Sequence, residues 1–216
     1  MFWYLALPVA LAWTGRDPIS RRQRLGRAES QASAIGEGKL RVWVHAASVG
    51  EVEGLRPVAS RLAHIRPDLE FVITTMTPAG RDAAHRHFNG VSQLAPFDHA
   101  RVVREFVASI RPVLLIITET ELWPNFFLES AAAGARLALI NARISARSLR
   151  RYRLIRPLIA RVLRSADVVL AQTTRDAERF RHLGARPERI AVSGNTKYEI
   201  PDHAHPLRPA LASFPP

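Results

Sequence analysis

The chain contains no cysteine, which excludes a disulfide framework, a thiolate nucleophile and every cysteine-ligated zinc or iron–sulfur centre. Lysine is nearly absent as well. Of 31 basic residues only Lys39 and Lys197 are lysines, and the rest are arginines. Acid is scarce, with 19 Asp and Glu residues, so the formal net charge is +12. That balance points to anionic partners, and nucleic acid, phosphorylated lipid and an anionic membrane surface all satisfy it. Aromatics make up 7% and no nucleic-acid-binding module is recognisable, so nucleic acid is not the expected partner. Neither a G-x-G-x-x-G nor a P-loop sequence occurs, which leaves dinucleotide or triphosphate cradling without support. The histidine pairs His85/His87 and His203/His205 lack the i, i+4 helical spacing and a third ligand, so no metal site is expected.

A long apolar run is also missing. The uncharged segment from Phe2 to Trp13 falls short of the roughly 20 residues a spanning helix needs. Arg16, Arg21, Arg22, Arg24 and Arg27 follow it, as in a short anchor whose basic flank is held at anionic headgroups on the cytoplasmic side of a membrane. An apolar helix packed on the protein body is the other reading. Residues 1–29 are therefore taken as anchor and flank, and residues 30–39, with Gly36 and Gly38, as a linker. Residues 40–200 form the folded domain and residues 201–216 a proline-rich tail.

Within residues 40–200 short apolar or β-branched runs (40–46, 69–74, 91–95, 113–118, 136–141, 168–171 and 190–193) alternate with helix-like stretches (51–65, 78–88, 100–110, 122–133, 145–164 and 174–183). Pro157 interrupts the fifth of these helices. Strand followed by helix, repeated, predicts a parallel sheet covered on both faces in a Rossmann-like α/β arrangement. In such sheets ligands bind outside the carboxyl ends of the strands, so the residues after each strand carry the function.

After the first strand, Ser48-Val49-Gly50-Glu51 forms a small turn entering a helix. Ser48 suits the cap, Gly50 removes a side chain from the approach path, and Glu51 sits where the helix dipole favours its ionised form. It is readable as a general base or as a dipole-complementing surface acid. After the fourth strand come Glu119, Thr120, Glu121, Trp123, Pro124 and Asn125. Carboxylates, an amide and an aromatic face suit a polyhydroxylated ligand, although Thr120 could equally cap the following helix. Thr74 to Gly80 and Asn141-Ala142-Arg143-Ile144-Ser145 follow two other strands, and either is also readable as a plain turn. From Asn141 to Ser165 there are eight arginines and no acid. The chemistry suits phosphate, on a lipid headgroup or a nucleic acid.

In order and spacing, Ala47 to Glu51, Thr74 to Pro78, Glu119 to Asn125, Asn141 to Ser145 and Gly194 to Tyr198 resemble the corresponding motifs of the lipid A Kdo transferases. These transferases move 3-deoxy-D-manno-octulosonic acid (Kdo) from CMP-Kdo onto a lipid A precursor. The resemblance implies the amino-terminal, acceptor-binding half of an inverting GT-B glycosyltransferase that needs no metal or other cofactor. It further implies a location on the cytoplasmic face of the inner membrane. Glu51 would be the base, with Glu119 and Lys197 supporting the transition state. Ser48, Gly50, Glu121, Trp123, Asn125, Asn141 and Arg143 would shape the acceptor pocket, beside an arginine segment facing lipid phosphates. The donor half, with its CMP-sugar site, has no counterpart before the tail. A non-catalytic α/β module that binds anionic lipid at the inner membrane is the alternative.

Overall fold

The computed structural model describes residues 17–27, 38–88 and 90–196. Lys197, the tail and most of the expected anchor and linker lie outside those residues. Seven strands carry the fold: β1 (Leu40–His45), β2 (Leu69–Thr75), β3 (Gly90–Leu94), β4 (Leu114–Thr118), β5 (Arg136–Ala142), β6 (Val168–Ala171) and β7 (Ile190–Val192). They form one sheet in the order β3-β2-β1-β4-β5-β6-β7, parallel throughout. The order reverses between β1 and β4, and that reversal sets the topological switch point where open α/β sheets bind ligands.

Alternation along each strand feeds two cores. Val42 and Val44 of β1 join Phe71 and Ile73 of β2 beneath helices α2 (Val49–Ile65) and α3 (Pro78–His87), whose Val52, Leu55, Ala83 and Ala84 complete that layer. Trp43 points to the opposite face, where it meets α4 (Ala100–Ile110) and α5 (Pro124–Ala132) through Phe106 and Phe126, with ring centroids 5.0 and 4.9 Å away. The helices after β5 and β6, α7 (Arg156–Ser165) and α8 (Thr174–Leu183), continue this layer with Ile159, Leu163, Phe180 and Leu183. Coverage on both faces explains why runs such as Leu115-Ile116-Ile117 are apolar without interruption.

The basic stretch expected at a membrane is partly built into the fold. Asp17 accepts the Ile19 and Ser20 N–H groups at 3.1 Å and so starts helix α1 (Pro18–Arg24). Arg24 turns inward, only 8% exposed, and donates to the main-chain carbonyls of Ala95 and Met76 at the tips of β3 and β2. Its guanidinium lies over the Phe97 ring, 5.9 Å from the centroid. Gln23 accepts the Leu94 N–H at 2.9 Å. Gly26, at φ +79°, closes the turn where a Cβ would fall 2.4 Å from the Val102 carbonyl oxygen. Arg24 thus clamps α1 to the sheet and is not free for headgroups, because a buried guanidinium needs carbonyl partners more than it tolerates an apolar wall.

Where one interrupted helix was expected over 145–164, two form, α6 (Ala146–Leu154) and α7, with a break at Ile155. Pro157 lacks the N–H that would bond the Arg153 carbonyl, so the ladder stops there. Trp43 is fully buried and donates its indole N–H to Thr74 Oγ1 at 2.8 Å. Trp43→Ala is expected to cost about 3–5 kcal/mol in urea-unfolding free energy by emptying the centre of this core.

Candidate functional site

The carboxyl ends of β1, β4 and β5 gather most of the residues singled out in the sequence. Ser48 is the N-cap of α2, its hydroxyl accepting the Glu51 N–H at 3.4 Å, and Gly50 lies exposed in the first turn between them. The Glu51 side chain folds back over the cap. Its Oε2 accepts the Ala47 N–H at 3.0 Å and the Thr118 hydroxyl at 2.6 Å, while Ser48 Oγ donates to Oε1 at 3.2 Å. The acid at the third position of the helix thus reaches back past the N-cap to the Ala47 N–H and across the switch point to the last residue of β4. Thr118 is 3% exposed, and its hydroxyl also lies 3.2 Å from the His45 carbonyl oxygen.

The next residues on β4 and β5 adopt a conformation that L side chains seldom take. Glu119 has φ +56° and Asn141 has φ +51°, each costing on the order of 1–2 kcal/mol. The Glu119 N–H bonds the Ile140 carbonyl at 3.0 Å, so the two corners lie side by side. Both Nε and Nη2 of Arg143 donate to Glu119 Oε2, at 3.0 and 2.7 Å. Glu119 is 8% exposed, whereas the Arg143 side chain is 57% exposed. The acid is therefore the buried member of the pair and the guanidinium faces outward. The Thr120 hydroxyl bonds the Arg143 carbonyl at 2.6 Å. Asn141 Oδ1 accepts the Thr196 N–H at 3.2 Å, and its carbonyl accepts from Gln172 Nε2 at 3.0 Å. Asn141 thus ties down the segment immediately before Lys197.

Glu121 and Trp123 form the other wall, joined by an indole N–H to Oε2 bond of 2.6 Å. Burial raises the Glu121 carboxyl above its ordinary range, the nearby charges of Glu51 and Glu119 add to this, and the Trp123 bond opposes it. His45, fully buried, sits edge-on to Trp123 and Phe126 and has its protonation pushed down to about 3, by burial first and then by Arg24. It is a neutral support for the tryptophan at any physiological pH.

Helix α5 begins at Pro124, and its cap comes from elsewhere than Thr120. Asp98 Oδ1 accepts the Asn125 and Phe126 N–H groups at 2.9 and 3.2 Å, and the Asn125 amide donates to the Asp98 carbonyl at 2.8 Å. Residues 119–123 instead form tight turns, with the Leu122 and Trp123 N–H groups bonding the Thr120 and Glu121 carbonyls. A cleft of about 440 Å³ opens beside this wall. Asp98, Thr120, Glu121 and Asn125 stand at its polar side. Sequence reasoning missed Thr118 and Asp98. Both follow the rule that strand tips carry function, Thr118 ending β4 and Asp98 lying just after β3, and that rule could have found them. Among the described residues no cluster of three or more metal-ligating side chains occurs.

Comparisons with known proteins bear on this arrangement. The sequence profile of the family described as 3-deoxy-D-manno-octulosonic-acid transferase (kdotransferase) matches residues 20–200. The chain belongs to that family. The 3-deoxy-D-manno-octulosonic acid transferase of Haemophilus influenzae is 31% identical over 96% of this chain and 51% of its own length. Those of Bordetella pertussis and Chlamydia trachomatis serovar D are 34% and 33% identical, over 82% and 75% of this chain. The chain spans about half the length of the curated relatives it matches, from 38% to 51% for these three. A UDP-GlcNAc 2-epimerase structure from Neisseria meningitidis aligns with 73% of the chain and 47% of its own, at TM-score 0.55 and 13% identity. A second UDP-N-acetylglucosamine 2-epimerase structure aligns at TM-score 0.53 and 16% identity, over 78% of this chain and 53% of its own. At those identities the likeness is one of fold, the Rossmann-like α/β arrangement of one half of a GT-B architecture.

Asp98 gives this wall a pH signature. Burial pushes its carboxyl up to about 6 from 3.8, against the two backbone N–H bonds that favour its charge. The folded state then holds a proton that the unfolded chain has already released, so the Asp98 contribution to stability is full below pH 4 and is lost as pH rises through about 6. The decline amounts to about 2–3 kcal/mol. In Asp98→Asn, which keeps the acceptor oxygen, urea titrations across pH 4–7 are expected to lose that slope.

Proposed function

We propose that this chain is the acceptor-binding half of a Kdo transferase, transferring Kdo from CMP-Kdo to a lipid A precursor at the cytoplasmic face of the inner membrane, with Glu51 as general base. The observation that carries the reading is the Glu51 carboxylate, fixed at the switch point by three donors, one from the turn after β1, one from the N-cap of α2 and one from β4. A base must be aimed before it is basic, and a carboxylate held in this way is aimed.

In the reaction the acceptor hydroxyl gives its proton to Glu51 as its oxygen attacks the anomeric carbon of Kdo. The bond from that carbon to the CMP phosphate oxygen breaks, and CMP leaves with the bonding pair. The donor is held by a second half, as in the family's two-domain members. Glu119 acts through Arg143, which it holds outward with two hydrogen bonds, and Lys197 follows the segment that Asn141 tethers. Ser48 and Gly50 leave the approach to Glu51 open, and Glu121, Trp123 and Asn125 line the acceptor side. The arginines of α6 and α7 face lipid phosphate.

No described helix is long and apolar enough to cross a membrane. The residues read as an anchor, 2–13, lie outside the described part, and membrane attachment through them belongs to this proposal. In a polypeptide carrying both halves, Glu51→Gln is expected to lower kcat by about 10²–10⁴ while lipid-precursor binding is retained. Transfer at the unchanged rate would remove Glu51 from the role of base.

A further inference from the structure

Arg143 stands one residue beyond β5, and its main chain is held from two sides. Its carbonyl accepts the Thr120 hydroxyl at 2.6 Å. The next residue, Ile144, gives its N–H to Asp176 Oδ1 of α8 at 3.0 Å, and its carbonyl accepts from Arg179 Nη1. Asp176 is buried and bonded in turn by the Thr173 hydroxyl at 2.6 Å. A register shift between Leu139 and Ala142 marks an irregularity at the end of β5, a device that re-aims side chains at the rim of a sheet.

The guanidinium is held as firmly. Nε and Nη2 both lie on Glu119 Oε2, which occupies one edge of the group. Nη1 has no bond among the described residues, and the side chain is more than half exposed. The end carrying Nη1 and the second Nη2 hydrogen is therefore open, and its fork matches another oxyanion. Surface arginines rarely have both backbone and head fixed. A cation arranged in this way has already met the ordering cost of binding an anion.

The surroundings say which anion. Glu51, Glu119 and Glu121 lie close together, since the charges of the first and second help to raise the carboxyl of the third. An anionic ligand is repelled by such a group unless a cation meets it. Glu119, which holds Arg143, directly follows Thr118, which holds Glu51, so cation and proposed base are anchored at adjoining residues. In an octulosonic acid the carboxylate is bonded to the anomeric carbon, the atom under attack, and cannot stand far from the base. In an in-line displacement the leaving phosphate departs on the face opposite the base.

We infer that Arg143 binds the carboxylate of the transferred sugar, through the end of its guanidinium that Glu119 leaves open, and so selects an acidic sugar over a neutral one. The inference rests on the Kdo-transfer reading of the preceding subsection and deepens it. It moves Arg143 from the acceptor wall, where the sequence resemblance set it, to the donor, and gives this half of the enzyme a share in donor recognition.

The test is calorimetric titration of a polypeptide carrying both halves with a CMP-Kdo analogue in which a methylene replaces the oxygen between sugar and phosphate. The 1-carboxamide of that analogue is the uncharged control, and CMP alone is the second control. The unaltered protein is expected to bind the acid about 10- to 100-fold tighter than the amide, the range for a hydrogen bond between charged groups. Arg143→Gln is expected to bring the acid down to the amide and leave the amide and CMP unchanged, and Arg143→Lys to keep part of the preference. Glu119→Gln combined with Arg143→Gln repeats the test without leaving a buried carboxylate unpaired.

A loss in Arg143→Gln that falls equally on acid, amide and CMP would put the guanidinium on the nucleotide phosphate and overturn the inference. A raised acceptor KM with the preference for the acid intact would put it on the acceptor and overturn it too. Glu51→Gln is expected to keep the full preference, so failure of the base assignment shows in transfer rates and failure of Arg143 in binding. An unaltered protein that transfers Kdo yet binds acid and amide equally overturns this inference alone. One that transfers no Kdo overturns the proposed function with it.

Discussion

A short side-chain hydrogen bond crosses the point where the sheet changes direction. Thr118, last on β4, donates at 2.6 Å to Glu51, which belongs to the helix after β1. β1 and β4 are neighbours in the sheet but lead away to opposite sides, so their tips diverge and a crevice opens there without any insertion or special loop. The bond closes the floor of that crevice and fixes the carboxylate within it. Every other feature of the site is arranged on one side or the other of that line.

To one side, β4 and β5 turn sharply through Glu119 and Asn141, two non-glycine residues in the left-handed region. Their strain is held by specific bonds, Arg143 on Glu119 and Thr196 on Asn141, and it persists because the sheet beneath is rigid. The outcome is an arginine displayed at the rim by a buried acid, beside a segment leading to Lys197. To the other side, Arg24 and Gln23 fasten the end of α1 to the tips of β2 and β3, at the carboxyl end of the sheet. The arginine-lined elbow of α6 and α7 adjoins the cleft at the tips of β4 and β5. Both features therefore lie on the face where the proposed chemistry occurs.

Much of this was legible in the sequence because buried parallel strands leave an unambiguous trace. Runs such as Leu114 to Ile117 and Val168 to Leu170 can be little else, and the motifs fall just after them. Family resemblance then ordered the polar residues. What stayed hidden depended on contacts between distant segments. Thr120 had the right chemistry for a cap, yet Asp98, 27 residues before Asn125, performs it. Arg24 read as one more surface arginine until its carbonyl partners on two strand tips were visible. The left-handed corners at Glu119 and Asn141 carry no glycine to announce them. The exposed Leu154 and Ile155 follow from where Pro157 breaks the ladder, which periodicity alone does not decide.

The central claim is that Thr118 aims Glu51 across the switch point, and one comparison tests it most directly. Steady-state transfer would be measured in a two-domain polypeptide carrying this chain, for Thr118→Val and Thr118→Ser. Loss of the hydroxyl should lower kcat by about 10²-fold, the cost of a misplaced reacting group, with the acceptor KM nearly unchanged, and serine should restore most of the rate. A valine variant that transfers as fast as threonine would contradict the account, because the carboxylate would then owe its position to something other than the bond between β4 and α2.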